Sequence, residues 1–411
     1  MTYTVAGIDI HKKVLMVVVT DATREELEFD SRRFGTAARE REHLAAWLRE
    51  RGVQEIVMES TAQYWKPVWL DLEPHFGKLH LAQAHSNRAP KGRKHDFADA
   101  QRLTRRLIAG ELILSFVPDA EQRGWRTMTR AKLQLVRDRV RLQNQLEALL
   151  EEMRIKLSSV VSELLGQSGR RILAALAQGE SDPAKLAELG DFRLKCGKEV
   201  LADALQGQLQ PMHRQMLKLF LERLDLLDRQ IQQMDQMIAG AMSNYEDAVI
   251  RLAQVPGFGP DSAQQTIAEV GPTAQSFDSA AQFASWVGIC PGSEESAEHN
   301  HSSRSPKGNK FLRRILTQAA QAAVKKKGSH FQVAFRRWLP GLKYNGAIWA
   351  IAHKLCRLIW KILHDGVHYI ERGEETNPKA KKRRADRMVR TLRRMGFKVE
   401  ITSLTPQPAE G

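Results

Sequence analysis

Four acidic side chains stand in this sequence where a protein could use them to hold metal ions. Asp9 lies in an apolar, β-branched stretch and Glu59 ends a second one, so each is predicted to close a strand. Asp96 and Asp99 lie three residues apart near the start of a predicted helix, which places them on one face. Burying an ionised carboxylate without a partner is costly, and carboxylate oxygens are preferred ligands of Mg²⁺. The four residues therefore predict a metal site that suits a pair of Mg²⁺ ions.

Each of these residues also has an ordinary structural interpretation. Asp9 could cap the turn that follows its strand, and acidic residues in a first helical turn complement the helix dipole. Only the set of four, at element ends that converge in a mixed sheet, favours a metal site over these alternatives. Carboxylate-held Mg²⁺ suits phosphodiester chemistry, because it neutralises charge on the phosphate and stabilises a leaving alkoxide.

The elements that must position these carboxylates follow an order typical of a mixed sheet covered by helices. Three strands, a helix, a strand, a helix and a strand form the ribonuclease H-like pattern. The fold class predicted for residues 1–118 is therefore an α/β ribonuclease H-like domain. The predicted elements are a hairpin over Tyr3 to Asp21, an edge strand over Glu26 to Phe34, a helix from Gly35 to Gly52, a strand over Gln54 to Glu59, a helix over Gln63 to Leu72 and a strand over Lys78 to Ala84.

The charge of the chain indicates a polyanionic partner. Its 411 residues suffice for two or three domains, and 63 lysines and arginines against 48 acidic residues give a net charge of +15. Nucleic acid is the commonest partner of so basic a chain. No run approaches the roughly 18 apolar residues of a membrane-spanning helix, and Met1 to Thr20 lacks the apolar core of a signal peptide, so a cytoplasmic protein is expected. Cys196, Cys290 and Cys356 are too scattered for a disulfide framework or a zinc site.

Residues 119–244 are predicted to form a helical arm. Apolar residues at three- and four-residue steps predict long amphipathic helices over Glu121 to Ile155 and Met212 to Met242, with shorter helices over Gly166 to Gly207 between them. Two long helices around a short insert suggest an antiparallel coiled coil, although ordinary helix packing explains the same pattern. Basic residues of the first helix and of the loop after the predicted sheet are predicted to contact nucleic acid: Arg130, Arg137, Arg141, Lys91, Arg93 and Lys94.

Residues 245–372 are predicted to form a mainly helical C-terminal domain. The stretch RLAQVPGFGPDSAQQTIAEVGP resembles a helix-hairpin-helix motif, in which Gly257 and Gly259 would expose backbone amides to a phosphate. A serine-rich loop then leads to a helix that begins near Asn309. Basic residues at this helix are predicted to grip phosphates: Lys307, Lys310, Arg313 and Arg314. Residues 373–411 are interpreted as a disordered or marginally helical basic tail that binds phosphates without sequence preference.

Several motifs, in their order along the chain, resemble those of the DEDD insertion-sequence transposases. They are GIDIHK, VMES, KHDFADAQ, VPGFGP and WVGICPGSEESA followed by KGNKFLRRIL, and they extend from about Thr4 to Ala323. The resemblance implies a Holliday-junction-resolvase-like ribonuclease H domain that is joined through a coiled coil to a C-terminal serine domain. The basic tail extends beyond the matching part.

The resemblance also implies which residues act. It places the metal-binding tetrad on the four acidic residues Asp9, Glu59, Asp96 and Asp99. It places a nucleophilic serine on Ser296. Because the residues after Ser296 depart from the family pattern, Ser302 and Ser303 are alternatives in the same loop.

The activity implied by the resemblance is DNA recombination, in which the serine attacks a phosphodiester and stays linked to the strand as a phosphoserine. The implied partners are double-stranded DNA of the element ends and the target, a structured noncoding guide RNA, and further copies of the chain in a dimer or tetramer at the prokaryotic nucleoid. A junction-resolving nuclease that uses the tetrad and water, and a non-catalytic nucleic-acid scaffold, remain alternatives. A sugar-kinase-like or actin-like ATPase is disfavoured, because His11, Lys12 and Lys13 stand where its glycine-rich phosphate loop would be.

Overall fold

The computed structural model describes residues 2–59, 62–83, 97–290, 294–296, 299–302, 305–371, 373, 378–395 and 398–400. The chain divides into two compact units, one over Met1–Asp119 and one over Ala120–Gly411. No helix in the described part of the chain has both the length and the apolar character needed to cross a membrane. The three cysteines are free thiols.

The first unit contains a mixed sheet and three helices. Its strands are β1 (Thr4–Ile10), β2 (Val14–Asp21), β3 (Asp30–Gly35), β4 (Val53–Glu59) and β5 (Leu79–Ala82), and its helices are α1 (Ala38–Glu50), α2 (Trp65–Leu72) and α3 (Ala98–Ile108). The sheet has the strand order β3-β2-β1-β4-β5. β2 runs antiparallel to β1 and β3, whereas β4 runs parallel to β1 and β5. This arrangement fits the predicted α/β ribonuclease H-like fold.

Helices cover both faces of this sheet. Side chains alternate along a strand, so Ile8 and Ile10 of β1 face the core shared with α1 and α2, and Gly7 and Asp9 face the opposite side. There α3 packs against β1 and β4. Gly7 has no side chain to hold the helix away: a Cβ atom at this position would lie only 2.5 Å from the carbonyl oxygen of Ala100. The glycine therefore sets how closely α3 approaches the strand that carries Asp9.

The second unit begins with a pair of long helices around a helical insert. Its first elements are α4 (Ala120–Glu152), α5 (Leu157–Val160), α6 (Gln167–Gln178), α7 (Pro183–Glu188), α8 (Lys198–Ala204) and α9 (Pro211–Ala241). α4 and α9 run antiparallel, since Trp125 Nε1 donates to the Ala241 carbonyl (3.2 Å) and Arg139 Nε donates to Asp228 Oδ1 (2.7 Å). Leucines from both helices and from α6 form one apolar core. Both predicted long helices are thus present.

The rest of the second unit is mainly helical. A 3₁₀ turn (Ser243–Tyr245) precedes α10 (Glu246–Ala253), α11 (Pro260–Val270), α12 (Ala280–Val287), the hairpin of β6 (Glu294–Ser296) and β7 (His299–Ser302), α13 (Lys310–Ala323), α14 (His330–His364) and α15 (Pro378–Arg394). α10 to α14 share an extensive apolar core. Small alanines on α13, such as Ala319 and Ala323, let the neighbouring backbones come close.

Two local predictions are corrected by these elements, and the prediction of a disordered or marginally helical tail is narrowed. The serine-rich segment is not wholly a loop, since it contains the antiparallel hairpin β6–β7. The strand predicted over Glu26 to Phe34 begins only at Asp30, because its pairing with β2 starts there, opposite Val19. The basic tail contains the 17-residue helix α15, which starts at a proline and is rich in good helix formers.

Candidate functional site

Asp9 lies on β1, in the interior of the sheet. Asp9 is only 8% exposed. Its Oδ2 atom lies 3.0 Å from Nε2 of His11, which follows directly after the strand. Burial raises the pKa of Asp9; His11 opposes this rise and the nearby Asp99 adds to it. The net result is a raised pKa, so the structure holds a carboxylate where negative charge is poorly compensated.

Glu59 ends the neighbouring parallel strand. Ile8 of β1 pairs with Met58 of β4, so Asp9 and Glu59 each follow the last paired position of adjacent strands. Burial raises the pKa of Glu59, and the charge of Asp9 raises it further. The two carboxylates thus act on each other electrostatically, as the predicted convergence of strand ends requires.

The third carboxylate comes from α3. Asp99 lies in the first turn of α3 and contributes to the raised pKa of both Asp9 and Glu59. We call Asp9, Glu59 and Asp99 the acidic cluster. Arg102 lies one helical turn after Asp99. Its Nη2 atom is 3.2 Å from Asp99 Oδ1 and 3.9 Å from Glu59 Oε2. Its guanidinium lowers the pKa of Asp9 and Glu59, but not enough to cancel the rise.

The acidic cluster has the chemistry of a site for a hard divalent cation. Its side chains supply oxygen ligands, and their mutual repulsion is relieved by positive charge between them. Arg102 supplies one such charge in this structure. Over the described residues, no three His, Cys, Asp or Glu side chains have converged into a metal-binding geometry. Asp96, the fourth predicted ligand, lies outside the described residues.

The predicted nucleophile lies in the second unit. Ser296 is the last residue of β6 and pairs with His299 of β7, while Ser302 at the end of β7 pairs with Glu294. Ser303 lies outside the described residues. Ser296 and Ser302 therefore occupy opposite strands of one short hairpin.

The predicted nucleic-acid contacts occupy several different environments. Arg137, Arg141, Lys307 and Lys310 are exposed or partly exposed, as a phosphate-binding role requires. Lys91, Arg93 and Lys94 lie outside the described residues.

Four predicted basic residues have partners within the protein, and one of them is Arg141, which pairs with Asp138 on the same helix. Arg130 Nε and Nη2 each donate to the Glu269 carboxylate at 2.8 Å, so its charge is already compensated. Arg313 donates to the Pro306 carbonyl (3.1 Å), and Arg314 donates to Gln265.

The two glycines of the α10–α11 turn differ in what they do. Gly257 has a φ of +86°, and a Cβ atom there would lie 3.0 Å from the Ala323 amide nitrogen and nearer still to the Ala319 carbonyl. This glycine therefore lets the turn pack directly on the backbone of α13. Gly259 precedes α11 as its N-cap residue, with open space around it.

The structure also reveals residues that the sequence patterns did not single out. Arg102 is one; its position three residues after Asp99 on a helix was an available signal. Glu269 is another, buried at 2% exposure in α11. Its place inside the apolar run TIAEV was a signal for a buried ion pair, since a buried carboxylate needs partners.

Comparisons with known proteins agree with this architecture. Residues 250–335 match the model of the Transposase IS116/IS110/IS902 family, and residues 6–155 match a transposase model for the DEDD proteins of the IS110 type. A protein of Pseudomonas aeruginosa named as a probable family 20 transposase is 29% identical over 283 residues, which cover 66% of this chain and 73% of that protein.

Two further relatives match over a similar number of residues. A protein of Sinorhizobium fredii named as a putative transposase is 25% identical over 67% of this chain and 64% of its own length. A 44.8 kDa protein of insertion element IS116 from Streptomyces clavuligerus is 24% identical over 58% of this chain and 63% of its own length. The family match over residues 6–155 contains all four predicted acidic ligands, and the match over residues 250–335 contains the β6–β7 hairpin.

Proposed function

This chain belongs to the IS116/IS110/IS902 family of transposases and is a DNA transposase, and we propose that it exchanges DNA strands through a serine nucleophile and a carboxylate-bound pair of Mg²⁺ ions. Asp9, Glu59, Asp96 and Asp99 are the proposed ligands, and Ser296 is the proposed nucleophile. The observation that carries the metal part is the acidic cluster, in which burial and the charges of neighbouring carboxylates, Asp99 among them, raise the pKa of Asp9 and of Glu59.

The acidic cluster suits this role because its residues come from rigid elements. Asp9 and Glu59 are fixed by adjacent strands, and Asp99 by the close packing of α3 on Gly7. Mg²⁺, when bound there, neutralises charge on the reacting phosphate and stabilises the leaving oxygen. The carboxylates bind it in their ionised form, and Arg102 is placed to limit their mutual repulsion before it binds.

The serine part of the proposal rests on the family and on the hairpin. A neutral serine hydroxyl is a poor nucleophile and needs a base or a metal to remove its proton. In the proposed reaction the Ser296 oxygen forms a bond to phosphorus as the bond to the leaving sugar oxygen breaks, and that oxygen takes up a proton. Ser302 is the alternative on the opposite strand.

The proposed partners follow from charge and from the family. Exposed basic residues supply positive charge for binding the DNA of the element ends, the target DNA and a structured noncoding guide RNA. They are Arg137, Arg141, Lys307 and Lys310. The antiparallel α4–α9 pair is the proposed coiled-coil arm of a dimer or tetramer. The α10–α11 pair is proposed to contact phosphates as a helix-hairpin-helix motif. The site of action is the DNA of the prokaryotic nucleoid.

The proposal is tested by strand exchange on element-end DNA with the full-length protein. Asp9→Asn and Asp99→Asn are expected to abolish Mg²⁺-dependent exchange while DNA affinity stays near that of the wild type. Asp30→Asn is the matched control, because Asp30 lies on β3, two strands from β1, in an ion pair with Arg51. Normal exchange by both cluster variants would refute the metal site. Strand cleavage without any covalent protein–DNA adduct would favour the water-using nuclease instead.

A further inference from the structure

We propose that Glu269 is a positioning residue, which ties helix α4 to the start of α13 and so fixes the base of the hairpin that carries Ser296. This inference deepens the proposed function and rests on it for the role of Ser296. Its evidence lies wholly within the second unit, in a set of contacts that joins three helices around one carboxylate.

Two arginines of α4 hold the Glu269 carboxylate. Arg130 donates to both of its oxygens, at 2.8 Å each, in the bidentate geometry that strong arginine–carboxylate pairs adopt. Arg126 Nε lies 3.6 Å from Oε2, and this arginine also donates to the carbonyl oxygens of Ala268 and Glu269. Because Glu269 is 2% exposed, its carboxylate is shielded from water and needs these partners. α4 is thereby fastened to the C-terminal end of α11.

The same carboxylate binds the residue that starts α13. Asn309 Nδ2 donates to Glu269 Oε2 at 2.8 Å. The other end of this side chain, Oδ1, accepts from the amides of Phe311 (2.9 Å) and Leu312 (3.1 Å) and caps α13. A carboxylate only accepts hydrogen bonds, so Glu269 fixes which end of the Asn309 amide faces α13. The Glu269 side chain thus connects the cap of α13 to the arginines of α4, and we call this connection the Glu269 link.

The base of the hairpin segment lies next to this link. Gly288 (φ +73°), which follows α12, is pressed against Gly308, and a Cβ atom on Gly288 would lie 2.8 Å from the Gly308 amide nitrogen. Trp349 Nε1 of α14 donates to Ser305 Oγ at 2.8 Å. The chain that leaves α12 and the chain that enters α13 therefore meet at a tight contact one residue before Asn309. The hairpin lies in the chain between Gly288 and Gly308, so a shift of Asn309 moves the contact from which both ends of that chain start.

The apolar core explains why this set of contacts does more than hold the fold. α11, α13 and α14 already share many fully buried side chains, so their association does not depend on one ion pair. Residues 305–309, just before α13, contribute no side chain to that core. Their position therefore depends on backbone packing and polar contacts, of which the hydrogen bond from Asn309 to Glu269 is one.

The test uses the full-length protein. It separates the N-capping of α13 by Asn309 from the hydrogen bond between Asn309 and Glu269. Asn309→Ser keeps an N-cap oxygen for α13 but removes the donor to Glu269. Glu269→Gln keeps the shape but cannot accept from Arg130 with both ends. Asp228→Asn is the matched control: it breaks ion pairs of α4 and α6 with α9 that do not involve α13.

Two readouts decide the outcome. Hydrogen exchange, followed by mass spectrometry, is expected to become about tenfold faster in peptides that span the hairpin in Asn309→Ser and Glu269→Gln, and to stay unchanged there in Asp228→Asn. Formation of the covalent protein–DNA adduct is expected to slow by about 10- to 100-fold in the first two variants at DNA affinity within about twofold of the wild type, since a shift of about 1 Å has such effects.

Unchanged hairpin exchange in both link variants would overturn the positioning role. A wild-type protein that forms no serine adduct would overturn the proposed nucleophile instead, and hydrogen exchange would still decide whether Glu269 fixes the hairpin. Faster exchange with a normal adduct rate would show that Glu269 orders the segment without positioning the nucleophile, which also contradicts the proposal.

Discussion

Replacing Gly7 with alanine tests how the first unit builds its acidic cluster. Gly7 lies in β1 two residues before Asp9 and has no positive φ, so the strand backbone accepts alanine. In a strand free of other constraints, this change would stabilise the protein by about 0.5–1 kcal/mol, because glycine loses more entropy on folding. The packing of α3 reverses that expectation.

The size of the effect follows from the approach of α3. The new Cβ atom would lie 2.5 Å from the Ala100 carbonyl oxygen, and nearer still to Thr104 Oγ1, whereas non-bonded atoms prefer about 3.5 Å. α3 must therefore move by about 1 Å. Overpacking of this kind costs about 1–3 kcal/mol of unfolding free energy. Because α3 carries Asp99 and Arg102, the same shift opens the acidic cluster and is expected to slow strand exchange by about 100-fold.

Denaturation of the full-length protein and the strand-exchange assay measure the two effects. Gly77→Ala is the matched control in the same unit, since a Cβ atom there would have no neighbour within 4 Å. We expect Gly7→Ala to lose both stability and exchange, and Gly77→Ala to keep both. If Gly7→Ala is as stable and as active as the control, α3 does not depend on Gly7 for its position and the proposed construction of the cluster is wrong.

Three further predictions concern charge. Arg102→Gln removes a guanidinium that lowers the pKa of Asp9 and Glu59, so the apparent pKa of metal binding is expected to rise, as measured by Mn²⁺-induced thermal shifts from pH 5 to pH 8. Burial alone would raise the pKa of Asp228, but hydrogen bonds from two arginines outweigh it and lower the pKa. The stabilisation that Asp228 contributes is therefore fully present above its unfolded-state pKa of about 3.9 and is lost as the pH falls through its folded-state pKa. Asp228→Asn is expected to reduce the loss of stability between about pH 5 and pH 2 in denaturation curves. The double variant Arg137→Gln and Lys310→Gln is expected to bind DNA with a weaker dependence on salt. The slope of log binding constant against log salt concentration is expected to fall in magnitude by about 0.9 for each phosphate that the protein no longer neutralises. An unchanged slope in a filter-binding titration would show that these residues are ordinary surface charges.

Local patterns were enough to predict much of the fold. The β-branched run of β2 and the strand ends at Asp9 and Glu59 are encoded in short stretches, and so are the three- and four-residue apolar steps of α4 and α9. Mixed sheets bring such strand ends together, which is why the grouping of Asp9, Glu59 and Asp99 could be anticipated. The exact approach of α3 could not, because it depends on the absence of a side chain at Gly7 opposite Ala100.

Contacts between residues far apart in the sequence could not be predicted from local patterns. The basic surroundings of Arg130 predict a phosphate contact, yet its partner Glu269 lies 139 residues away. The hairpin β6–β7 has few β-branched residues, so composition favours a loop. Gly257 fits a phosphate-binding turn by sequence, while the structure shows close packing against α13, which no local pattern encodes.

Strand exchange is proposed to pass through a serine on the β6–β7 hairpin, with the acidic cluster holding the metal. The sharpest test is mass spectrometry of the protein after reaction with element-end DNA in Mg²⁺, followed by nuclease and protease digestion. We expect a nucleotide attached to Ser296 in the wild type, and no attached nucleotide in Asp99→Asn or in Ser296→Ala. Strand exchange by the wild type without any nucleotide-modified peptide, or with the nucleotide on a residue outside the hairpin, would contradict this mechanism.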